Sequence, residues 1–185
     1  MAGVADSAGL DEMFALIEAM NVPPGYRVEI IGGQIVLNPH RKVHSTIIRR
    51  LVGDLTPWLG LGADVLWDVR VDFPGGLNGY APDVALLKDG AEEDEHGRCD
   101  YHDVEFVAEV VSEGSRRDDY DAKLKVYAAA GIPTYLIADP KTGVAHVFHA
   151  PRDGVYTDET SHTFGEKFAL PGSGIVIDST SWPRD

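Results

Sequence analysis

The sequence predicts an α/β (α+β) fold, a mixed β-sheet flanked by helices with β-hairpins toward its N- and C-terminal ends. Three observations predict it. Residues 104–111 form a nearly unbroken apolar run, as a central strand covered on both faces requires. A helical stretch over 115–130 and a second apolar strand over 134–138 follow, the order of a crossover between parallel strands. Gly32 and Gly33 stand between two alternating segments and mark a tight hairpin, whose turn needs positive φ twice.

Each element has its own signal. Residues 11–20 (DEMFALIEAM) read as a short helix opened by acids, which suit its positive N-terminal end. Pro23, Pro24 and Gly25 close it before the hairpin strands 26–31 and 34–38. Over 43–55, Ile47, Ile48, Leu51, Val52 and Leu55 recur at helical spacing and give one buried stripe. Residues 64–73 alternate and predict one strand, and 82–87 predict another. Residues 88–103 read as a long solvated loop. Ser115-Arg116-Arg117-Asp118 has a capping-box pattern and opens a helix whose expected buried stripe is Tyr120, Leu124, Tyr127 and Ala128. Gly131 and Pro133 end it. Strands are expected at 144–149, 167–170 and 175–178. One domain is expected over 1–185, with an N-terminal helix and linker (1–24), a core (25–150) and C-terminal strands (151–185).

Composition narrows the function classes. Hydrophobic residues at 44% and charged residues at 25% exclude a wholly disordered chain. Cys99 is the single cysteine, which excludes disulfide frameworks and cysteine-zinc clusters. His40, His96, His102, His146, His149 and His162 show no zinc-ligand spacing. No apolar run approaches the ~20 residues of a membrane helix, and no signal peptide is visible, so the expected location is the cytoplasm, with no membrane partner.

The net charge of −14 repels nucleic acid at long range. Salt screens such repulsion beyond ~10 Å, so local distribution decides contact. Residues 88–103 hold seven acids and two bases. Residues 38–50 hold four bases (Arg41, Lys42, Arg49, Arg50), two histidines and no acid.

Glu109 is the sharpest anomaly, a carboxylate inside the 104–111 run on the face of Val107 and Val111. An ionised acid there costs several kcal/mol unless paired or bound to metal. The alternative is a strand-end Glu paired with an arginine. Asp83 starts the 84–87 strand, where it can reach a cleft or merely form a Pro-Asp turn. Lys123 lies at the border of the helix stripe, either facing the acids or pairing with Asp119 as a surface i,i+4 bridge. His44 precedes Ile48, Leu51 and Leu55 on the inward face of its helix, and Glu29 lies within the first hairpin. Two carboxylates on neighbouring strands suit a hard divalent cation such as Mg²⁺. A nearby lysine can orient water and offset phosphoryl charge. That is equipment for cutting a phosphodiester. A metal-free glycosidase pair ranks last, since few aromatics flank the acids.

Pro82-Asp83-Val84, then 107–112 (VAEVVS), then 119–127, then 131–140 (GIPTYLIADP) resemble the Uma-type restriction endonuclease family, within the PD-(D/E)xK, restriction-endonuclease-like superfamily. The resemblance takes in the Glu29 hairpin and the helix opening at His44, and covers most of 25–150. It implies a restriction-endonuclease-like mixed sheet and Mg²⁺- or Mn²⁺-dependent DNA hydrolysis. It implies that Asp83 and Glu109 are metal ligands. The superfamily's lysine position two residues after the Glu is Val111 here, and the family pattern places the lysine on the following helix, at Lys123. Glu113-Gly114 replaces the usual Pro-Ser, and Leu136 replaces a tryptophan. On this reading the Val110 carbonyl completes the metal site, Lys123 positions the water, and His44 and Glu29 are auxiliary. Arg41, Lys42, Arg49, Arg50, Arg116 and Arg117 are the expected phosphate contacts. A homodimer is plausible, since cutting both strands needs two active sites. The alternative is a catalytically inactive nuclease-like scaffold with a binding or regulatory role, which the acidic charge favours.

Overall fold

A computed structural model describes residues 3–39, 41–58, 64–92, 94 and 98–185, so His40 and His96 lie outside the described residues. The elements in chain order are α1 (Gly3–Ala19), β1 (Tyr26–Ile31), β2 (Gln34–Pro39), α2 (Lys42–Leu55), β3 (Val65–Leu66), β4 (Val71–Phe73), β5 (Asn78–Tyr80) and β6 (Val84–Leu87). There follow β7 (Cys99–Asp100), β8 (Val104–Val110), α3 (Leu124–Ala129), β9 (Thr134–Asp139), β10 (Val144–Arg152), β11 (Val155–Thr163), β12 (Lys167–Ala169) and β13 (Val176–Asp178). No helix among the described residues is long and apolar enough to cross a membrane.

Two sheets carry the architecture. One has six strands in the order β11-β10-β9-β8-β6-β3, with β8 and β9 parallel as the crossover reading requires. The other has five, in the order β2-β1-β5-β4-β7. A small β12-β13 pair lies apart. The β1-β2 turn bends through Gly32 and Gly33 at φ 55° and 76°, conformations that a Cβ would disfavour.

Strand β8 separates two cores. Phe106, Ala108 and Val110 pack with Ile47, Leu51 and Leu55 of α2 and with the C-terminal strands. Val107 and Val111 face the opposite way, into an aromatic core of Tyr80, Tyr127 and Tyr135. Alternation along the strand thus covers both faces and leaves Glu109 on the aromatic side.

Several expectations need correction. The N-terminal helix starts at Gly3, not residue 11. The 64–73 stretch is two strands in different sheets, because Asp68 takes φ 60° and turns the chain from β3 to β4. Asp68 N–H bonds the Pro82 carbonyl at 3.1 Å, tying this crossing to a second one at residues 81–83. Residues 88–103 are not all loop, since β7 pairs in parallel with β4.

The 115–130 helix is not uniform. Asp118–Lys123 is wound as a π-helix before α3, and Ser115 does not cap Asp118. Instead, the Ser112 and Ser115 hydroxyls bond one another and each other's backbone N–H at 3.0 Å. The buried stripe is Asp119, Lys123, Tyr127 and Ala128, whereas Tyr120 and Leu124 are only half-buried. Lys123 lies at the centre of that stripe, not its border. Strand β11 falls within the expected C-terminal strand region, at a position not marked by any hydrophobic pattern.

Candidate active site

The two chain crossings place Asp83 at the mouth of β6, beside the end of β8. Val84 pairs with Ala108, and the alternation puts Asp83 on the same face as Ala85, the aromatic side that Glu109 also faces. Both acids are buried. The sheet geometry thus brings together the two carboxylates singled out in the sequence.

Their oxygens are divided between fixed and shared partners. Asp83 Oδ2 accepts the Val110 N–H at 2.7 Å, and Oδ1 accepts Arg27 Nη1 at 2.5 Å. Glu109 Oε1 accepts Lys123 Nζ at 2.9 Å and the Tyr127 hydroxyl at 2.8 Å. Glu109 Oε2 faces Arg27 Nη2 at 3.4 Å. The structure therefore gives Glu109 the arginine of the alternative reading, and adds the helix lysine.

Lys123 is wholly buried and serves three acids. Its Nζ lies 2.9 Å from Glu109 Oε1, 2.9 Å from Glu29 Oε1 and 3.5 Å from Asp119 Oδ1. The Asp119 pairing is the i,i+4 bridge the sequence allowed, but it lies in the interior instead of on the surface. Glu29, on β1, also accepts the Ala81 N–H at 3.2 Å and Asn38 Nδ2 at 3.2 Å. It links the hairpin to the second crossing. His44 is buried on α2, near enough to Asp83 to favour its ionised form.

The electrostatics follow from burial and neighbours. Burial pushes Glu109 up to about 8, and the nearby Asp83 and Glu29 add to the rise against the pull of Lys123 and Arg27. Burial likewise lifts Asp119 to about 6. Burial would raise Asp83 too, but Arg27 and the Val110 N–H hold it below the usual carboxylate range. Burial opposes the charge of Lys123, yet Glu109, Glu29 and Asp119 keep it ionised well beyond neutral pH. Two cations against four buried carboxylates explain why two of the acids, Glu109 most, are pushed towards their neutral form.

The expected phosphate contacts separate into two groups. Arg41, Ser45 and Arg49 recur at steps of four along the start of α2, and Arg41 and Arg49 are exposed. Ser45 and Arg49 line a cavity of about 400 Å³ that reaches Asp83 and is walled by Trp67 and Asp68. Arg41 lines a second, of about 220 Å³, with Ser112, Arg116 and Lys141. Arg116 is also bonded to Asp139. Neither lining includes Lys42, Arg50 or Arg117.

Arg27 is the residue that sequence reasoning missed. Its signal was present, since Arg27 and Glu29 are two apart on one strand and so share a face. Among the described residues no group of three or more His, Cys, Asp or Glu is arranged to hold a metal ion as the chain stands. The Arg27 guanidinium lies between two of the acids, Asp83 and Glu109.

Acids from adjacent strands of a mixed sheet, met by a lysine from the crossover helix, define a nuclease-like α+β protein. The chain belongs to the Uma2 family, described as "Putative restriction endonuclease", whose model matches residues 10–176. No curated protein matches the sequence. A solved structure described as "a putative nuclease belonging to DUF820 from Anabaena variabilis ATCC 29413" is similar in fold, with a TM-score of 0.70 and 17% identity. The match covers 94% of this chain and 97% of that one.

Proposed function

We propose that this protein is a divalent-metal-dependent endonuclease that hydrolyses DNA phosphodiester bonds. The observation that carries the reading is the convergence of Asp83 Oδ1 and Glu109 Oε2 on one cationic group. Membership of a family described as restriction endonucleases supports DNA as the substrate. An all-oxygen donor set of carboxylates suits Mg²⁺ or Mn²⁺. The residues present fit such an ion, since each acid spends one oxygen on a fixed partner and turns the other toward the same point.

Asp83 and Glu109 would hold the ion, with the Val110 carbonyl as a third donor. The bound ion supplies Lewis-acid polarisation of the phosphoryl oxygen and a lowered pKa for water. The chain's own groups do the rest. Lys123 keeps Glu109 Oε1 fixed and holds positive charge beside the reacting phosphate. Glu29 and Asp119 hold Lys123 in place. His44 is an auxiliary group beside Asp83. Arg41 and Arg49 receive the flanking phosphates along the α2 ridge.

The test is nicking of supercoiled plasmid with Mg²⁺ or Mn²⁺, comparing wild type with Glu109→Gln. The variant is expected to lose at least 100-fold in rate, and equal rates would remove the assignment. The scaffold reading is favoured by the Arg27 bridge, which satisfies both acids without metal. It predicts no activity in either protein and no metal binding at millimolar concentration.

A further inference from the structure

We propose that Arg27 is a resident counter-cation, its guanidinium standing where a divalent ion would sit between Asp83 and Glu109 and leaving that place when the ion binds. This rests on the metal-dependent reading above. It adds a positioning residue that couples metal loading to the β1 strand.

The assignment of oxygens carries the inference. Asp83 Oδ2 is engaged by the backbone of Val110, and Glu109 Oε1 by Lys123 and Tyr127. The remaining oxygens, Asp83 Oδ1 and Glu109 Oε2, both meet Arg27, at 2.5 and 3.4 Å. Among the described residues, Arg27 is the group that donates to these two oxygens.

Arg27 is poorly satisfied for a buried arginine. A guanidinium has five N–H donors. Here Nη1 makes one short bond, Nη2 makes one at 3.4 Å, and Nε is buried without a hydrogen-bond partner, 3.6 Å from Glu29 Oε2. A purely structural arginine would be expected to saturate more of its donors, since each buried orphan is unfavourable. The group holds the acids together without completing its own bonding.

Charge and tether favour exchange. With all four ionised, the buried carboxylates Glu29, Asp83, Glu109 and Asp119 outnumber Arg27 and Lys123 by two, an excess that shows as the raised pKa of Glu109 and Asp119. Exchanging a single positive charge for a double one brings the cluster nearer to balance. Strand β1 pairs with β2 along its length, but its ladder to β5 is at Ile30. The backbone at Arg27 is therefore laddered only to β2, its other anchors being side-chain contacts, and a long side chain there can carry its head toward solvent.

The experiment is calorimetric titration of Mn²⁺ into wild type and Arg27→Met without DNA, which reads affinity and not turnover. The Arg27→Met protein is expected to bind Mn²⁺ at least 10-fold more tightly, because no internal cation competes. Equal or weaker binding by Arg27→Met would overturn the proposal. The same titration with Glu109→Gln separates the two failures. If wild type and Arg27→Met bind equally and Glu109→Gln abolishes binding, the metal reading stands and the Arg27 proposal falls. If none of the three binds at millimolar Mn²⁺, both fall. Should Arg27→Met fail to fold, a crystal structure of wild type grown with Mn²⁺ decides. Arg27 turned away from a metal held by both acids supports the proposal, and a guanidinium still bridging them overturns it.

Discussion

Replacing Lys123 by methionine tests the buried charge cluster most directly. Methionine keeps the length and most of the volume of the lysine stem, so the cavity contribution is small. What disappears is one charge within 2.9 Å of Glu109, 2.9 Å of Glu29 and 3.5 Å of Asp119. Removing one partner of a buried ion pair destabilises by ~3–5 kcal/mol. Two of the three acids soften the effect, because burial already lifts Glu109 to about 8 and Asp119 to about 6. At neutral pH Glu109 is already largely protonated and loses only a hydrogen-bond donor, and Asp119 takes up a proton at moderate cost. Glu29 remains charged but keeps Arg27, Asn38 and the Ala81 N–H. The lower end of the range, about 3 kcal/mol, is therefore expected. For a domain of this size that is a fall of roughly 6–12 °C in Tm. The assay is urea unfolding followed by tryptophan fluorescence, with Lys125→Met as control. Lys125 pairs with Asp121 at the surface and is 71% exposed, so its loss should leave the midpoint unchanged. A Lys123→Met midpoint no lower than that of Lys125→Met would refute the reasoning.

Two further outcomes follow from the geometry. Arg49→Ala should weaken DNA binding by a similar factor for all sequences and lower the slope of log K against log[salt] by about 0.9, the loss of one phosphate contact. Fluorescence anisotropy in EDTA measures it, and an unchanged slope would remove Arg49 from the interface. Asp139→Asn should destabilise by about 1 kcal/mol, because Oδ2 loses the charge of its bond to half-exposed Arg116 while Oδ1 keeps the Lys141 and Thr142 N–H groups. Burial opposes it, but the Arg116 and Thr142 bonds hold the Asp139 carboxyl below its ordinary value of 3.8. A carboxyl depressed in the folded state contributes stability above its unfolded pKa and loses it as pH falls through the folded value. The gap between the two proteins in urea titrations should thus be constant above about pH 5 and close below pH 4. A gap independent of pH would show that the charge contributes nothing.

Much of the site was legible because burial makes charge conspicuous. Glu109 stood out in an apolar run, and the strand beginning at Asp83 lay next to it in the sheet as the resemblance implied. The α2 stripe and the parallel crossover were written in spacing that tertiary packing kept. What escaped has physical reasons. The break at Asp68 is invisible to alternation, because the pattern runs on at both sides while the backbone turns through positive φ. The π-helix at Asp118–Lys123 has no local sequence signature, yet it lies where Lys123 joins the buried stripe. Strand β11 is mostly exposed and polar, so its strand character comes from eight residue pairings with β10 instead of from a hydrophobic pattern. Arg27 reads as an ordinary exposed base of a hairpin strand, because the contacts that bury it come from Asp83 and Glu109, 56 and 82 residues away.

The acidic net charge and a DNA substrate are reconciled by where the charges sit. Arg70 and Arg98 are engaged with Asp11, Asp72 and Asp94, and Asp72 lies on β4, beside the edge strand β7 of the five-stranded sheet. Strand β7 is three places from β1, which carries Arg27 and Glu29. At ~4.8 Å per strand that is about 14 Å, more than the ~8 Å over which charge is felt at physiological salt. The bases on the α2 ridge have no acid among residues 38–50, although Asp68 and Asp83 share the cavity of Arg49, and Glu113, Asp139 and Asp185 that of Arg41. On the proposed reading a phosphate at the cleft would meet the exposed Arg41 and Arg49 at short range, while the −14 of the whole chain acts at longer range, where it slows encounter. The acids inside the cleft are not surplus to this scheme. Two of them, Asp83 and Glu109, share the single charge of Arg27, and on the proposed reading the same pair would hold the divalent ion. The burial that makes the cluster unfavourable is thus also what makes it a site.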